Sequence, residues 1–419
     1  LSETGKVDYI AVGGGNLGFD PDLNTPSAYY PQGLFVNLAE AIKKSTGNKM
    51  KVMSLGRIIE PAFADSIIAD GKADLVIMMR ALIADPELPK KALEGRVEEI
   101  IPCIGCNQGC LGHVLQDRST TCILNPIIGR EESWGAGSLQ EIKDPKNVVI
   151  VGAGPSGLEC ARISAIRGHK VTIFEQSDRI GGQARLASVL PGRTDLERAL
   201  KFWENETKRL GINILFGIRA TIEQIKKMSP DIVVCATGSE LKNLAFSPAF
   251  PQPTGTKYLR DISEIARLKS GAREGKDCFI YDDRGDFQAF GWAELCVNSG
   301  SRTVLLTRNP ILGMYVDPWT RFTAYKRLNK LGVRMVSDSF PKEIKENAVS
   351  CCNVYNSDIR AEFSSEFSYF LSWPVSKTDL FDELSSKETG TRVFSIGDCK
   401  SPRSLEEAIY EGHELARTL

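Results

Sequence analysis

Short apolar runs alternate with amphipathic stretches along the first hundred residues. Residues 7–12 (VDYIAV), 51–54 (KVMS) and 74–79 (DLVIMM) have strand length and strand composition, while residues 34–44 and 61–70 repeat apolar positions at helical spacing. Strand, helix, strand, helix, strand predicts parallel β/α units, about three of them ahead of residue 100. Three are too few to close an eight-stranded barrel, so the expectation is the C-terminal half of one, with the other half missing or carried by a second chain. A polar, glycine-containing stretch, GREESWGAGSLQEIKDPKN, then reads as a linker. KNVVIVGAGPSGLECARISAIRGHKVTIFEQ follows as a strand, glycine turn, helix and strand. A weaker copy of that unit starts near Asp277, and the chain closes with VFSIGDC and a helical SLEEAIYEGHELARTL.

Charge changes this picture little. The 52 basic and 53 acidic residues leave a net charge of -1 with both signs interspersed, which points away from nucleic acid, membrane surfaces and polyanions as partners. No run approaches the roughly 18 apolar residues of a membrane helix. The opening LSETGKVDYIAV lacks the basic and apolar regions of a secretion signal. Of 11 cysteines, four fall between positions 103 and 122, which fits thiolate ligation in a reducing compartment and predicts a cytoplasmic protein.

The strand NVVIV leads directly into Gly152-x-Gly154-x-x-Gly157, where glycines permit a tight turn and close approach of backbone to a pyrophosphate at a helix N-terminus. Glu175 ends the next strand, where a carboxylate accepts from a ribose diol. Gly181-Gly182-Gln183, Thr237-Gly238 and Gly397-Asp398 extend the pattern and favour FAD over NAD at this turn. In the second unit the equivalent turn reads Tyr281-Asp282-Asp283-Arg284-Gly285-Asp286; carboxylates there repel a pyrophosphate and side chains crowd it, so this domain is expected to keep the fold without binding NAD(P)H. Cys103, Cys106, Cys110 and Cys122 are spaced C-x2-C-x3-C-x11-C, which suits either a tetrahedral zinc or an iron–sulfur cluster. Their position beside a dinucleotide unit favours the redox cluster, while the other seven cysteines read as packing residues. Gly56-Arg57 and Met79-Arg80 follow successive strands, the place where a barrel holds a flavin phosphate.

In this order the pieces resemble the trimethylamine dehydrogenase / 2,4-dienoyl-CoA reductase branch of the old yellow enzyme family. VDYIAVGGGNLGFDPDLNTPSAYYPQG is similar to its sixth-strand region, GRIIEPAFADSIIADGKADLVIMMRALIADPELPKK to its flavin-phosphate strands, and CIGCNQGCLGH with TTCILNP to its [4Fe–4S] segment. The resemblance implies an α/β protein: the end of an FMN-binding (β/α)8 barrel (1–100), a cluster segment and linker (101–145), an FAD- or ADP-binding Rossmann-like domain (146–250 with 380–419), and a vestigial NAD-like domain (251–379). It implies FMN at Gly56, Arg57, Met79 and Arg80, a [4Fe–4S] cluster on the four cysteines, and FAD or ADP at the glycine turn.

The branch divides by electron direction. Reductases draw electrons from NAD(P)H through an intact second domain, whereas amine dehydrogenases and demethylases oxidise a C–N bond and pass electrons outward, often to an electron-transferring flavoprotein. The acidic turn and LGMYVDPWTRFTAYKRLNKLGV resemble the amine group; the cysteine spacing, Asn107-Gln108 and Gln183 resemble the reductases and the dimethylglycine-type demethylases. Tryptophans that surround the amine in trimethylamine dehydrogenase have no counterpart near Asp20 or His113-Val114, so a secondary or tertiary N-methyl amino acid such as dimethylglycine, N-methylproline or a betaine-derived amine is expected as substrate. His113 itself is expected at the surface beside the cluster. The competing expectations are an NAD(P)H-dependent enoate or dienoyl-CoA reductase, and an electron-transfer subunit of a split complex. A homo-oligomer, or a complex with a chain supplying the rest of the barrel, is expected, and the catalytic residues are expected in the other barrel half.

Overall fold

A computed structural model describes residues 2–47, 49–240, 274–386 and 390–419, together with 257, 258 and 268. The expected domain boundary at 250/251 lies outside these residues. The chain divides into two compact units.

The first unit comprises Leu1–Glu141, Asp195–Gly211 and Asp317–Thr320. Its sheet has three parallel strands in sequential order, Tyr9–Val12, Lys51–Ser54 and Leu75–Val76. The crossover helices Val36–Thr46 and Pro61–Ala69 lie between them in sequence, the β/α alternation predicted. Val12, Ala39 and Val52 are buried together between sheet and first helix. The third strand is shorter than DLVIMM suggested. The backbone leaves the ladder after the Ile77 N–H donates to the Ser54 carbonyl, and Met79–Ala84 is helical, which puts Met79 and Arg80 in a first helical turn. The helix Leu196–Arg209 belongs to this unit although it lies in sequence between Rossmann strands, because Asp195, Arg198 and Arg209 form ion pairs with Arg57, Glu60 and Glu99.

The second unit holds two five-stranded parallel sheets. One runs Arg392–Ser395, Ile232–Cys235, Asn147–Val151, Lys170–Phe174, Asn213–Leu215. The other runs Arg334–Val336, Arg302–Thr307, Asp277–Asp282, Phe367–Leu371, Lys257–Tyr258. Their central strands, NVVIV and DCFIYD, are nearly continuous apolar runs, as strands covered on both faces must be. An antiparallel sheet, Ser339–Ile344, Ala348–Asn353 and Arg360–Ser364, contributes Val349, Cys351 and Phe363 to the core beneath the second parallel sheet. The fold class is α/β, the end of a (β/α)8 barrel followed by two Rossmann-like units. Among the described residues no helix is long and apolar enough to cross a membrane.

Candidate cofactor and cluster sites

At the first strand-end site, Gly56 and Arg57 are consecutive residues at positive φ, 115° and 58°. The Arg57 side chain is buried, donates to the Tyr30 carbonyl and pairs with Asp195; burial and the nearby Arg80 draw its pKa down to about 10. Nη1 and Nη2 are engaged in these contacts, and among the described residues Nε is buried without a hydrogen-bond partner. Met79 is largely exposed. The Arg80 side chain turns to the cysteines, donating to Asn107 Oδ1 at 2.6 Å.

All four cysteines line one pocket with Arg80, Ile83, Pro102, Ile104, Ile123 and Leu124. Asn107, at φ 58°, turns the chain into a π-helical segment, Gln108–Gly112, closed by the Gly112 N–H on the Asn107 carbonyl at 2.7 Å. Such a wide turn is a recurrent feature of functional sites. It brings Cys110 back toward Cys106. Backbone N–H groups of Gln108, Leu111 and Leu124 donate to the sulfurs of Cys106, Cys110 and Cys122. Burial raises these thiols, Cys122 to about 12, so the pocket favours thiolate only with positive charge inside it. Four sulfurs lining one pocket, three of them accepting from backbone amides, are a donor set that suits an iron–sulfur cluster or a tetrahedral zinc. His113 is buried rather than exposed: the next turn folds over it, and its Nδ1 lies 3.0 Å from the Ser119 carbonyl oxygen.

In the second unit, the Asn147–Val151 strand enters a tight turn. Gly152 has φ 111°, and a Cβ there would fall on the Ala236 carbonyl; one at Gly157 would fall on the Gly152 carbonyl. Gly154 caps the helix Pro155–Ile166, whose first turn faces the place of a pyrophosphate. Glu175 braces the turn, accepting from Ala153 N (2.8 Å) and Ser177 N (2.7 Å). Gly182 lies against Gly154. Gln183 donates to Ser239 Oγ (2.9 Å) and Asp398 Oδ2 (3.1 Å), and Ser239 donates to the same carboxylate oxygen at 2.6 Å. Thr237 Oγ1 donates to the Lys377 carbonyl, next to Gly238. Gly397 is held by its N–H on Glu411 Oε2 at 2.7 Å. These residues, distant in sequence, ring one edge of the sheet.

The second turn is closed on itself. Asp282 Oδ1 accepts from Arg284 N (3.0 Å) and Gly285 N (2.9 Å), the amides a phosphate would need. Arg284 pairs with Asp286 at 2.8 Å, Arg308 with Asp283 at 2.8 Å, and Arg284 lies over Trp373. Burial and then Asp286 push Asp282 up to about 7.

Residues 22–99 match the NADH:flavin oxidoreductase / NADH oxidase family, and residues 150–209 a Rossmann-like NAD(P)-binding domain. An NADH oxidase of Thermoanaerobacter brockii is 32% identical over 99% of this chain. An N,N-dimethylglycine/sarcosine dehydrogenase of Chromohalobacter salexigens is 28% identical over 99%. The structure of a histamine dehydrogenase from Rhizobium sp. 4-9 superposes with a TM-score of 0.84 at 26% identity, over 94% of this chain and 59% of that one. The chain belongs to the old yellow enzyme / trimethylamine dehydrogenase family. It spans 62% and 64% of the length of the two curated relatives.

Within this family's plan, the structure gathers the cysteines in one pocket and the first-turn residues on one sheet edge. It separates the two arginines by role, Arg57 inward to Asp195 and Arg80 to the cysteine loop. Three residues at these sites carried no sequence signal: Asp195, Ser239 and Glu411. Each acts through a partner 138, 159 and 14 positions away respectively, beyond the reach of any local motif, and the partners of Asn107, noted in the sequence only beside Gln108, lie 27 and 213 positions away.

Proposed function

We propose that this chain is part of a flavin- and iron–sulfur-dependent oxidoreductase that oxidises a methylated amine or amino acid and passes the electrons to an electron-transferring flavoprotein or similar carrier. The self-closed second turn carries this reading. With the Arg284 and Gly285 amides on Asp282, and with Arg284 and Arg308 paired to Asp286 and Asp283, the turn disfavours a pyrophosphate at the position where reductases of this plan take NAD(P)H. The dimethylglycine/sarcosine and histamine dehydrogenases among the relatives support the same direction. Bound FMN would supply hydride acceptance and release electrons singly. The chain's own part is to present backbone at Gly56-Arg57 to the flavin phosphate, to hold a [4Fe–4S] cluster on Cys103, Cys106, Cys110 and Cys122, and to bind FAD or ADP at Gly152, Gly154, Gly157 and Glu175.

A second reading, an NAD(P)H-dependent reductase, is favoured by the 32% identity with an NADH oxidase. Anaerobic mixing of the holoenzyme with NADH or NADPH separates the two. The amine reading expects no rapid bleaching of the flavin and fast bleaching with an N-methyl amino acid; rapid bleaching by NADH overturns it.

A further inference from the structure

The middle of the stretch LGMYVDPWTRFTAYKRLNKLGV belongs to the cysteine site. Asp317–Thr320 counts with the first compact unit, although the chain on either side of it counts with the second. Asp317 and Thr320 are both buried. Asp317 Oδ1 accepts from the Thr320 N–H at 2.9 Å, which caps the helix Pro318–Lys330 and fixes its first turn.

That turn meets the π-helical segment of the cysteines at two points. Asn107 is 1% exposed; its Nδ2 donates to Thr320 Oγ1 at 3.4 Å and to the Thr25 carbonyl at 3.0 Å. A carboxamide nitrogen carries two hydrogens, so each has its acceptor. At Gly112 a Cβ would lie 3.1 Å from the Asn107 carbonyl oxygen and 3.5 Å from Asp317 Cβ, so the close of the turn packs on Asp317 with little room between. Asn107 stands at φ 58°, a conformation most side chains disfavour, and its side-chain bonds hold it there. Releasing one of them loosens the turn that joins Cys106 to Cys110.

We propose that Thr320, braced by Asp317, is a positioning residue for the four cysteines: through Asn107 it fixes the turn that sets Cys110 against Cys106. The hydroxyl carries this role. Without an acceptor at position 320, a buried amide hydrogen of Asn107 is left unsatisfied, and the carboxamide gains a reason to turn away. The proposal rests on reading the four cysteines as a cluster site. It gives the chain of the second nucleotide fold a use that its closed turn does not provide, since that chain supplies the segment steadying the cluster's ligands.

The test uses the holoenzyme, with iron and sulfide measured on every variant. Thr320→Val removes the hydroxyl and keeps the shape, whereas Thr320→Ser keeps the hydroxyl. Two properties are read: the electron paramagnetic resonance spectrum of the reduced cluster, and the rate at which iron passes to a ferrous-iron chelator. Thr320→Val is expected to shift the g values and to lose iron on the order of tenfold faster than the parent. Thr320→Ser is expected to match the parent in both. A Thr320→Val protein with full iron and sulfide, the parent spectrum and the parent rate overturns the proposal, even where its unfolding temperature falls. Equal changes in the Val and Ser variants also overturn it, because bulk rather than the hydroxyl would then matter. If Thr320→Val does not fold, Thr320→Ala takes its place and is judged by the same outcomes. Absence of iron and sulfide from the unmodified holoenzyme overturns the cluster reading, and the proposal with it.

Discussion

At single positions the glycine turn shows how strictly backbone geometry selects a residue. Gly157 approaches the Gly152 carbonyl so closely that a methyl group has no room, and the obstacle is backbone, which cannot rotate aside. Gly157→Ala is therefore expected to cost about 1–3 kcal/mol by overpacking and to lower the FAD or ADP retained through purification. Thermal unfolding and chromatography of acid-released nucleotide read the two effects; a variant with full nucleotide content and unchanged melting would count against the close packing. This position was legible in the sequence because the glycine spacing is dictated locally. The part played by Asn107 was not, although the residue stands inside the cysteine motif. Its role comes from Arg80, Thr25 and Thr320, which only the folded chain assembles.

Between elements, the helices Pro155–Ile166 and Leu405–Thr418 are joined by a buried charge network that no periodicity announces. Glu159 is bridged to Arg162 at 2.7 Å and to His413 Nδ1 at 2.8 Å. Burial opposes its charge, yet Arg162 and His413 hold its pKa down to about 2, against an ordinary 4.5. A depressed carboxylate contributes stability that is present above 4.5 and lost as pH falls from there toward 2. His413 adds to this: burial lowers its pKa below the ordinary 6.5 despite Glu159, so the unfolded chain gains a proton that the folded unit resists as pH drops past that value. The unfolding temperature of this unit is expected to decline from just below pH 6.5 and more steeply below 4.5. His413→Gln should flatten the first part of the decline. Glu159→Gln breaks the buried ion pair with Arg162 and should cost about 3–5 kcal/mol at neutral pH. Calorimetric scans across pH check both, and a parallel pH profile in His413→Gln would remove the histidine from the account. The element pattern itself was readable, since parallel strands covered on both faces are apolar throughout. The DLVIMM run overreached because apolar residues also begin the helix Met79–Ala84, and composition does not mark where a strand hands over to a buried helix.

Across the second unit, one dinucleotide fold keeps its binding turn and the other has closed it. The sequence already distinguished them, because glycines and carboxylates at a turn have opposite consequences for a pyrophosphate. What it could not show is how the second turn pairs internally, with Asp282 on two amides and Asp283, Arg284, Asp286 and Arg308 paired among themselves. That internal pairing carries a thermodynamic consequence. A ligand stabilises the fold it binds by mass action, about 2.7 kcal/mol at a hundredfold excess over its dissociation constant. ADP added to nucleotide-stripped protein is thus expected to raise the unfolding temperature of this unit, and NADPH to leave it unchanged at the same concentration. In Gly157→Ala the response to ADP should disappear, which ties it to the first turn. An NADPH-induced rise that persists in Gly157→Ala would place a competent site at the second turn, and electrons would then enter this protein from a nicotinamide rather than leave it toward a carrier.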